Sequence, residues 1–399
     1  MVLYLGIVGF LYQPTWEGDE KRFQFYAENL TQGYYAEAEN PEFRNGPGYP
    51  LFLAPFIALG LPKLAAVFAN IFLTLGGLMF FQAALKFFVS SRQAYYLTLF
   101  MGLYPVMLKE LPNAVYEAYY FFLICGFLYF FLRANQKEKK HIKDFLLAGC
   151  FIGMLAMTRF VYGYSLFFSL PFLGIAAILF RKPNVRGWAM TVGVGILFCL
   201  PYLAYTYSLS GKLFYWGTNG GEVLYWMSAK QNDEFGDWQS RDEILYDEIP
   251  QISPIHKEFF QSLIGLNHIE RDQALKKRAK ENIKANPSHY LQNWTANVVR
   301  LFWGFPKSFR QQDLRPVAYI ISNGLILVAL ILSLWIAWGV RKKIPPELFA
   351  IWFIFLLYLG LTSIVHAVPR YLVSVVPFWV LWIGYIKTSF TTFHISADD

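Results

Sequence analysis

Long apolar stretches, separated by short polar turns, recur along most of the chain. An α-helix needs roughly 20 apolar residues to cross a bilayer, and the suitable runs predict about ten membrane spans. The predicted spans cover 2–16, 63–88, 94–108, 114–132, 145–158, 161–180, 188–209, 317–340, 348–365 and 371–386. The apolar piece at 49–61 is interrupted by proline and glycine, which predicts an interfacial or re-entrant segment. The pattern is typical of an all-α polytopic membrane protein.

Two polar regions divide the chain into three parts. The predicted parts are an N-terminal membrane module at 1–209 with a first external loop at 13–62, an external region at 210–316, and a C-terminal membrane module at 317–399. From His268 to Pro306 the pattern is helical, first highly charged and then amphipathic. We expect the amphipathic part to lie on the outer membrane surface. The first span has no basic flank or cleavage site, so it is interpreted as an uncleaved span that could lack residues at its start.

Composition and charge exclude a soluble protein and argue against nucleic acid as a partner. The chain is 56% hydrophobic and 16% charged, too apolar for a water-soluble surface. Its net charge of +8 comes from basic residues in short loops, as the positive-inside rule requires of cytoplasmic loops. These residues are Lys86, Arg92, Arg133, Lys137, Lys139, Lys140, Lys143, Arg181, Lys182, Arg186, Arg341, Lys342, Lys343 and Lys387. The three cysteines lie in apolar segments and form no disulfide or zinc pattern.

The first external loop is acidic. Between Glu17 and Glu42 it carries seven carboxylates against two basic residues, and Asp19 and Glu20 are adjacent just beyond the first span. Such a pair could act as a general base or as a metal ligand. The alternative is a solvated loop without chemistry.

Three charged residues interrupt apolar runs near the same external face: Glu117, Arg159 and Arg370. Charges at such positions usually face a water-filled cavity or each other. Taken singly, each could be a structural ion pair or a side chain that reaches the headgroups. Taken together, they predict an external cavity with carboxylates on one wall and guanidiniums on another. Because arginine binds phosphate oxygens bidentately, such a cavity suits a phosphate-bearing substrate and a hydroxyl to be deprotonated.

Several strings, in register, resemble one family. They are GDE at 18–20, FYAENLTQGYY at 25–35, GPGYPLFLAPF at 46–56, YEAYYFFLICGFLYFFLR at 116–133, AMTRF at 156–160 and HAVPRYLVSVVP at 366–377. They are similar to the family C (GT-C) glycosyltransferases, which include protein O-mannosyltransferases and the enzymes that add aminoarabinose to lipid A. The resemblance covers roughly two thirds of the chain and implies a GT-C-like helix bundle.

The resemblance implies an inverting transfer of a sugar from a polyprenyl phosphate. Asp19 would be the catalytic base with Glu20 beside it, and arginines of the cavity would hold the donor phosphate. Placement near the external face selects Arg159 and Arg370 for that role, with His366 as a third group. A metal is not required by this chemistry, although Asp19, Glu20 and Glu117 could bind a divalent ion. Phe160 stands where many relatives have proline. This difference affects the geometry of the local turn and therefore the direction in which the Arg159 side chain points.

The expected location is a bacterial inner membrane, with the site facing the periplasm or exterior. The acceptor could be a lipid, a glycan or a protein. The segment from Lys212 to Trp238, rich in glycine, aromatics and carboxylates, fits either acceptor binding or ordered turns. The alternative functions are a transporter or flippase of a lipid-linked sugar, and an assembly subunit without chemistry. Transporters often have paired repeats and broken helices at the bilayer midplane, whereas here the charges gather at one face.

Overall fold

The protein is an all-helical bundle. The computed structural model describes residues 1–136, 142–180, 183–229, 234–246, 249, 251–309 and 317–395, and within these ranges it contains no strand. The predicted all-α class is confirmed. Five of the basic residues that predict the orientation lie outside the described residues: Lys137, Lys139, Lys140, Arg181 and Lys182.

The helices follow the three parts of the sequence. The N-terminal part contains α1 (Val2–Leu11), α2 (Asp19–Thr31), α3 (Gly48–Ala58), α4 (Lys63–Leu85), α5 (Ser91–Gly102), α6 (Pro105–Glu110), α7 (Glu117–Ala134), α8 (Ile142–Thr158), α9 (Phe160–Phe180) and α10 (Pro183–Ser210). The external part contains α11 (Gly220–Met227), α12 (Arg241–Leu245), α13 (Pro254–Ser262), α14 (His268–Ala285) and α15 (Pro287–Trp303). The C-terminal part contains α16 (Val317–Val340), α17 (Pro346–Ser363) and α18 (Val376–Ile395), with 3₁₀ helices at Arg341–Lys343 and Pro369–Ser374.

Five helical stretches among the described residues are long and apolar enough to cross a membrane. They are Lys63–Leu85, Glu117–Ala134, Val185–Ser210, Ala318–Lys343 and Pro346–Ser363. Each overlaps a predicted span, as expected for an integral membrane protein. The other predicted spans remain predictions.

Two predicted spans have a different helical structure. The single helix predicted at 94–108 is two helices, because α5 ends at Gly102 and Pro105 begins α6. Proline lacks an amide hydrogen and clashes with a preceding helical turn, so it starts a helix more readily than it continues one. The span predicted at 371–386 begins as the 3₁₀ helix Pro369–Ser374, and α18 starts only at Val376.

The first external loop packs closely against the end of α8. A Cβ atom on Gly46 would lie 1.8 Å from the carbonyl oxygen of Met157, and one on Gly48 would lie 2.3 Å from Oγ1 of Thr158. Only glycine permits this approach, which fixes the loop beside Arg159. The helix that follows, α3, has 11 residues. At 1.5 Å per residue it is too short to cross a bilayer, in agreement with the predicted interfacial piece.

The external part has a small core of its own. Its buried apolar residues are Tyr225, Trp226, Ala229, Ile244, Phe260, Leu263 and Leu275. The predicted charged and amphipathic helices are α14, which starts at a capping box on Asn267, and α15, which ends at Gly304 in a left-handed conformation. Asn293, Asn297 and Arg300 of α15 are buried, so these polar side chains contact other segments of the protein. Its contact with the membrane surface stays a prediction.

The orientation can be tested with two exposed positions, Thr31 at the end of α2 and Lys342 after α16. If the first loop is external, a membrane-impermeant maleimide should label Thr31→Cys in intact cells. It should label Lys342→Cys only after the membrane is opened. The parent protein, with its three native cysteines, gives the background. Labelling of Lys342→Cys in intact cells would contradict the predicted orientation.

Candidate active site

Asp19 lies between two arginines at the start of α2. Gly18 precedes it with φ +51°, a left-handed conformation that glycine adopts without steric cost. One helical turn later, Arg22 Nη2 donates to Asp19 Oδ1 at 2.5 Å. From the C-terminal part, Arg370 Nη2 donates to Asp19 Oδ2 at 2.6 Å. Both carboxylate oxygens are therefore held by guanidinium groups.

Arg370 also faces Glu117. Its Nη1 atom lies 3.6 Å from Glu117 Oε1. Glu117 is the first residue of α7 and is 1% exposed, and neither of its carboxylate oxygens has a hydrogen-bond partner among the described residues. Removing a charge from water is costly unless it is paired, so Glu117 depends on Arg370. The structure thus brings together three of the predicted site residues, Asp19, Glu117 and Arg370.

The two arginines make Asp19 more acidic. Burial alone would raise the pKa of Asp19, but the charges of Arg370 and Arg22 and the hydrogen bond from Arg370 outweigh it and lower the pKa to about 2. Asp19 is therefore a carboxylate at every physiological pH. While both arginines hold it, it is a weak proton acceptor.

Glu20 turns away from Asp19. Its Oε2 atom accepts a hydrogen bond from Lys63 Nζ at 2.7 Å, and its Oε1 atom accepts one from the amide of Ala114 at 2.6 Å. Lys63 also donates to the carbonyls of Gln13 and Thr15, and its side chain is 2% exposed. Glu20 thus joins α2 to the start of α4 and lies apart from Asp19 and Glu117. In the described ranges, no group of three or more histidine, cysteine or acidic side chains could hold a metal ion.

Arg159 contacts two tyrosines that adjoin the site. It donates from Nη1 to the hydroxyl of Tyr116 at 2.8 Å, and its guanidinium stacks 3.5 Å from the ring centroid of Tyr371. Tyr116 and Tyr371 adjoin Glu117 and Arg370 in the chain, so Arg159 positions the residues beside the ion pair. Phe160, at the predicted departure from the family, begins α9 and stacks on Tyr202 with ring centroids 5.5 Å apart.

Arg370 also lines a cavity of about 710 Å³. Its lining residues come from α6, from the external part, from the N-terminal end of α16 and from the segment between α17 and α18. They are Pro105, Val106, Lys109, Glu110, Asp237, Trp238, Gln239, Arg300, Gly304, Lys307, Ala318, Tyr319, His366, Val368, Pro369 and Arg370. Four basic side chains, Lys109, Arg300, Lys307 and Arg370, exceed the two acidic ones, Glu110 and Asp237. The cavity is therefore suited to an anion beside a membrane helix.

His366 lines this cavity as a neutral group. Burial, together with the charges of the nearby Arg300 and Arg370, lowers the pKa of His366 to about 3. Its Nδ1 atom has no hydrogen-bond partner among the described residues. At neutral pH His366 can give a phosphate a hydrogen bond but no positive charge.

The sequence did not identify every basic residue of the cavity. Lys109 lies in a predicted external turn, and Lys307 follows a predicted amphipathic helix, but neither interrupts an apolar run. Arg300 is 1% exposed and binds the carbonyls of Pro306 and Phe235. The only signal in the sequence was that all three lie in segments predicted to be external.

Comparisons with known proteins gave two structural similarities. No protein-family profile and no curated protein matches the chain. The chain is similar to the crystal structure of ArnT from Cupriavidus metallidurans bound to undecaprenyl phosphate, with a TM-score of 0.43 and 12% identity over 97% of this chain and 77% of that one. For ArnT in the apo state the TM-score is 0.41, with 13% identity over the same shares. ArnT has the GT-C fold that the motifs resemble. No residue role is transferred at this similarity.

The ion pair of Glu20 should stabilise the fold. Replacing Lys63 by methionine leaves Glu20 buried without its cation, which costs about 3–5 kcal/mol in comparable cases. We expect a clear fall in the thermal unfolding temperature of the purified protein in detergent. The double variant Glu20→Gln/Lys63→Met should recover part of the loss, since no charge is then unpaired. A Lys63→Met protein as stable as the wild type would show that the pair is dispensable.

The low pKa of Asp19 predicts a pH-dependent stability. A carboxylate whose pKa is lower in the folded than in the unfolded protein adds stability above its unfolded pKa, about 3.9, and loses it as the pH falls toward its folded pKa. The folded pKa of Asp19 is about 2. Asp19→Asn should therefore be less stable than the wild type at pH 7, and the difference should narrow below about pH 4. Thermal unfolding at pH 7, 5 and 3.5 measures this difference. A constant difference would contradict the ionic role.

Proposed function

We propose that the protein is an inverting glycosyltransferase that moves a sugar from a polyprenyl phosphate to an acceptor hydroxyl at the external face of the membrane. One observation carries the proposal. The guanidinium of Arg370 contacts the candidate base Asp19, and Arg370 also lines a basic cavity beside α16. A phosphate in that cavity and an acceptor hydroxyl at Asp19 would then both lie next to Arg370.

The donor would enter the cavity from the membrane. Ala318 and Tyr319, at the start of an apolar helix, line the cavity together with Lys109 and Arg370. A polyprenyl chain is apolar and would remain among the membrane helices, while its phosphate would meet the basic side chains. His366 would add a hydrogen bond to a phosphate oxygen.

The transfer would be a single displacement. The acceptor oxygen attacks the anomeric carbon, the bond from that carbon to the phosphate oxygen breaks, and the acceptor proton passes to the carboxylate of Asp19. The departing polyprenyl phosphate gains negative charge, which Arg370 would stabilise in place. Attack opposite to the leaving group inverts the anomeric configuration.

Donor binding would also activate the base. In the structure Arg370 binds Asp19 and keeps its pKa at about 2. A phosphate competes for the same guanidinium, and each contact that it takes from Asp19 makes the carboxylate a stronger proton acceptor. Glu117 would keep a second contact on Arg370 during this exchange, since it lies on the Nη1 side of the guanidinium.

Replacing the base provides the test. A strain that lacks this gene is complemented at matched protein levels with the wild type, Asp19→Asn or the control Glu28→Gln, which changes another carboxylate of α2. General-base catalysis contributes about 10²–10⁴-fold, so we expect Asp19→Asn to lose one glycan residue from the cell envelope while the lipid-linked sugar accumulates externally. Mass spectrometry measures both, and Glu28→Gln should match the wild type.

Two results would overturn the proposal. Full complementation by Asp19→Asn would show that Asp19 is not the base. Accumulation of the lipid-linked sugar only on the cytoplasmic face would indicate a flippase.

A further inference from the structure

Three consecutive residues of the external part, Asp237, Trp238 and Gln239, line one wall of the cavity. They differ in chemistry from the basic residues, since they supply a carboxylate, an aromatic face and an amide. Trp238 and Gln239 are uncharged and are therefore suited to a part of a ligand other than a phosphate.

A constrained turn presents these residues to the cavity. The turn closes with a hydrogen bond from the amide of Asp237 to the carbonyl of Glu234, and Phe235 and Gly236 have φ values of +49° and +65°. A left-handed conformation is unfavourable for phenylalanine and persists only where the surroundings hold it. A Cβ on Gly236 would lie 2.9 Å from the Cβ of Asn293, so this position requires glycine.

Arg300 holds the turn from α15. It donates from Nη2 to the carbonyl of Phe235 at 2.6 Å, and its Nε atom lies 3.6 Å from Oδ1 of Asp237. The amide of Ser308 donates to the other oxygen of Asp237 at 3.2 Å. A buried arginine and a backbone amide thus fix the residue that precedes Trp238.

The ring of Trp238 is fixed on its other side. Its Nε1–H donates to Glu222 Oε1 at 3.0 Å, and the guanidinium of Arg44 lies 5.2 Å from its centroid. Glu222 also pairs with Arg44 at 3.3 Å. Arg44 therefore covers one face of the indole, and Trp238 also lines the cavity.

Gln239 supplies an amide to the same wall. The residue is 2% exposed and lines the cavity. An amide supplies both donors and an acceptor, which matches neighbouring hydroxyl groups.

We propose that Trp238 and Gln239 form the subsite that binds the sugar of the lipid-linked donor. A sugar ring has a flat face of C–H groups, which packs on an aromatic face, and a rim of hydroxyls, which an amide binds. The donor sugar is favoured over an acceptor sugar because the wall shares its cavity with Arg370 and with the membrane helix α16. This subsite rests on the proposed function and extends it to recognition of the sugar.

The test measures binding of defined lipids to the full-length protein in nanodiscs. The probes are undecaprenyl phosphate without a sugar and the same lipid carrying glucose, mannose, galactose or arabinose. We expect the wild type to bind one glycosylated probe more tightly than the bare lipid. Trp238→Ala and Gln239→Ala should each lower the affinity for that probe about 10-fold. Both should leave the affinity for the bare lipid within about twofold.

Matched variants separate stacking from folding. Trp238→Phe keeps an aromatic face and should retain most of the preference for the sugar. Trp335→Ala removes a tryptophan that is 79% exposed on α16, away from the cavity, and should bind every probe as the wild type does. Arg370→Ala should lower the affinity for the bare lipid and for the glycosylated lipids alike.

The outcomes distinguish this subsite from the proposed function. Equal weakening of bare and glycosylated lipids by Trp238→Ala, or unchanged binding of both, overturns the sugar subsite while the Arg370→Ala result still supports lipid-phosphate binding. A wild type that does not discriminate any sugar from the bare lipid also overturns it. A wild type that binds none of the probes overturns the proposed function itself.

Discussion

The ion pair between Asp19 and Arg370 is the contact on which the site depends. It joins residues that are 351 positions apart, one after the first helix and one before the last. The same guanidinium lies near Glu117, whose buried carboxylate has no hydrogen-bond donor among the described residues. Charges at the boundary of a membrane must be paired or hydrated. Arg370 therefore contacts two acidic side chains and joins the two ends of the chain.

The surrounding residues keep this pair in place. Lys63 and Glu20 anchor the start of α2, and Arg159 is held between the rings of Tyr116 and Tyr371. These contacts use charged side chains to join helices. Among the described residues, the side chain of Asp19 is bound by Arg22 and Arg370. Glu20, by contrast, binds a buried lysine and a backbone amide. Glu20 and Asp19 are therefore adjacent in the sequence, but their carboxylates bind different partners.

The cavity combines basic side chains with an aromatic residue and an amide. Lys109 lies on α6 and Arg300 on α15, and Trp238 and Gln239 follow the turn that Arg300 holds. Such a combination fits a ligand with an anionic group and a polar ring, linked to an apolar chain. The turn that carries Trp238 has unfavourable backbone angles and is held by a buried arginine. Unfavourable local geometry with strong support is common where a protein binds its ligand.

The sequence by itself determined the helical class and the positions of the long apolar helices. In a bilayer, a single apolar segment can satisfy its backbone hydrogen bonds by itself only as a helix, so α4, α16 and α17 could be predicted. It also singled out Glu117 and Arg370, since charges in apolar runs are rare, and Asp19, which lies in the acidic first loop. Only the tertiary structure decided that Glu20 binds Lys63, that His366 is neutral, and that Lys109 and Trp238 line one cavity. Those outcomes depend on which side chains meet across distant segments, and hydrophobic periodicity carries no information about such partners.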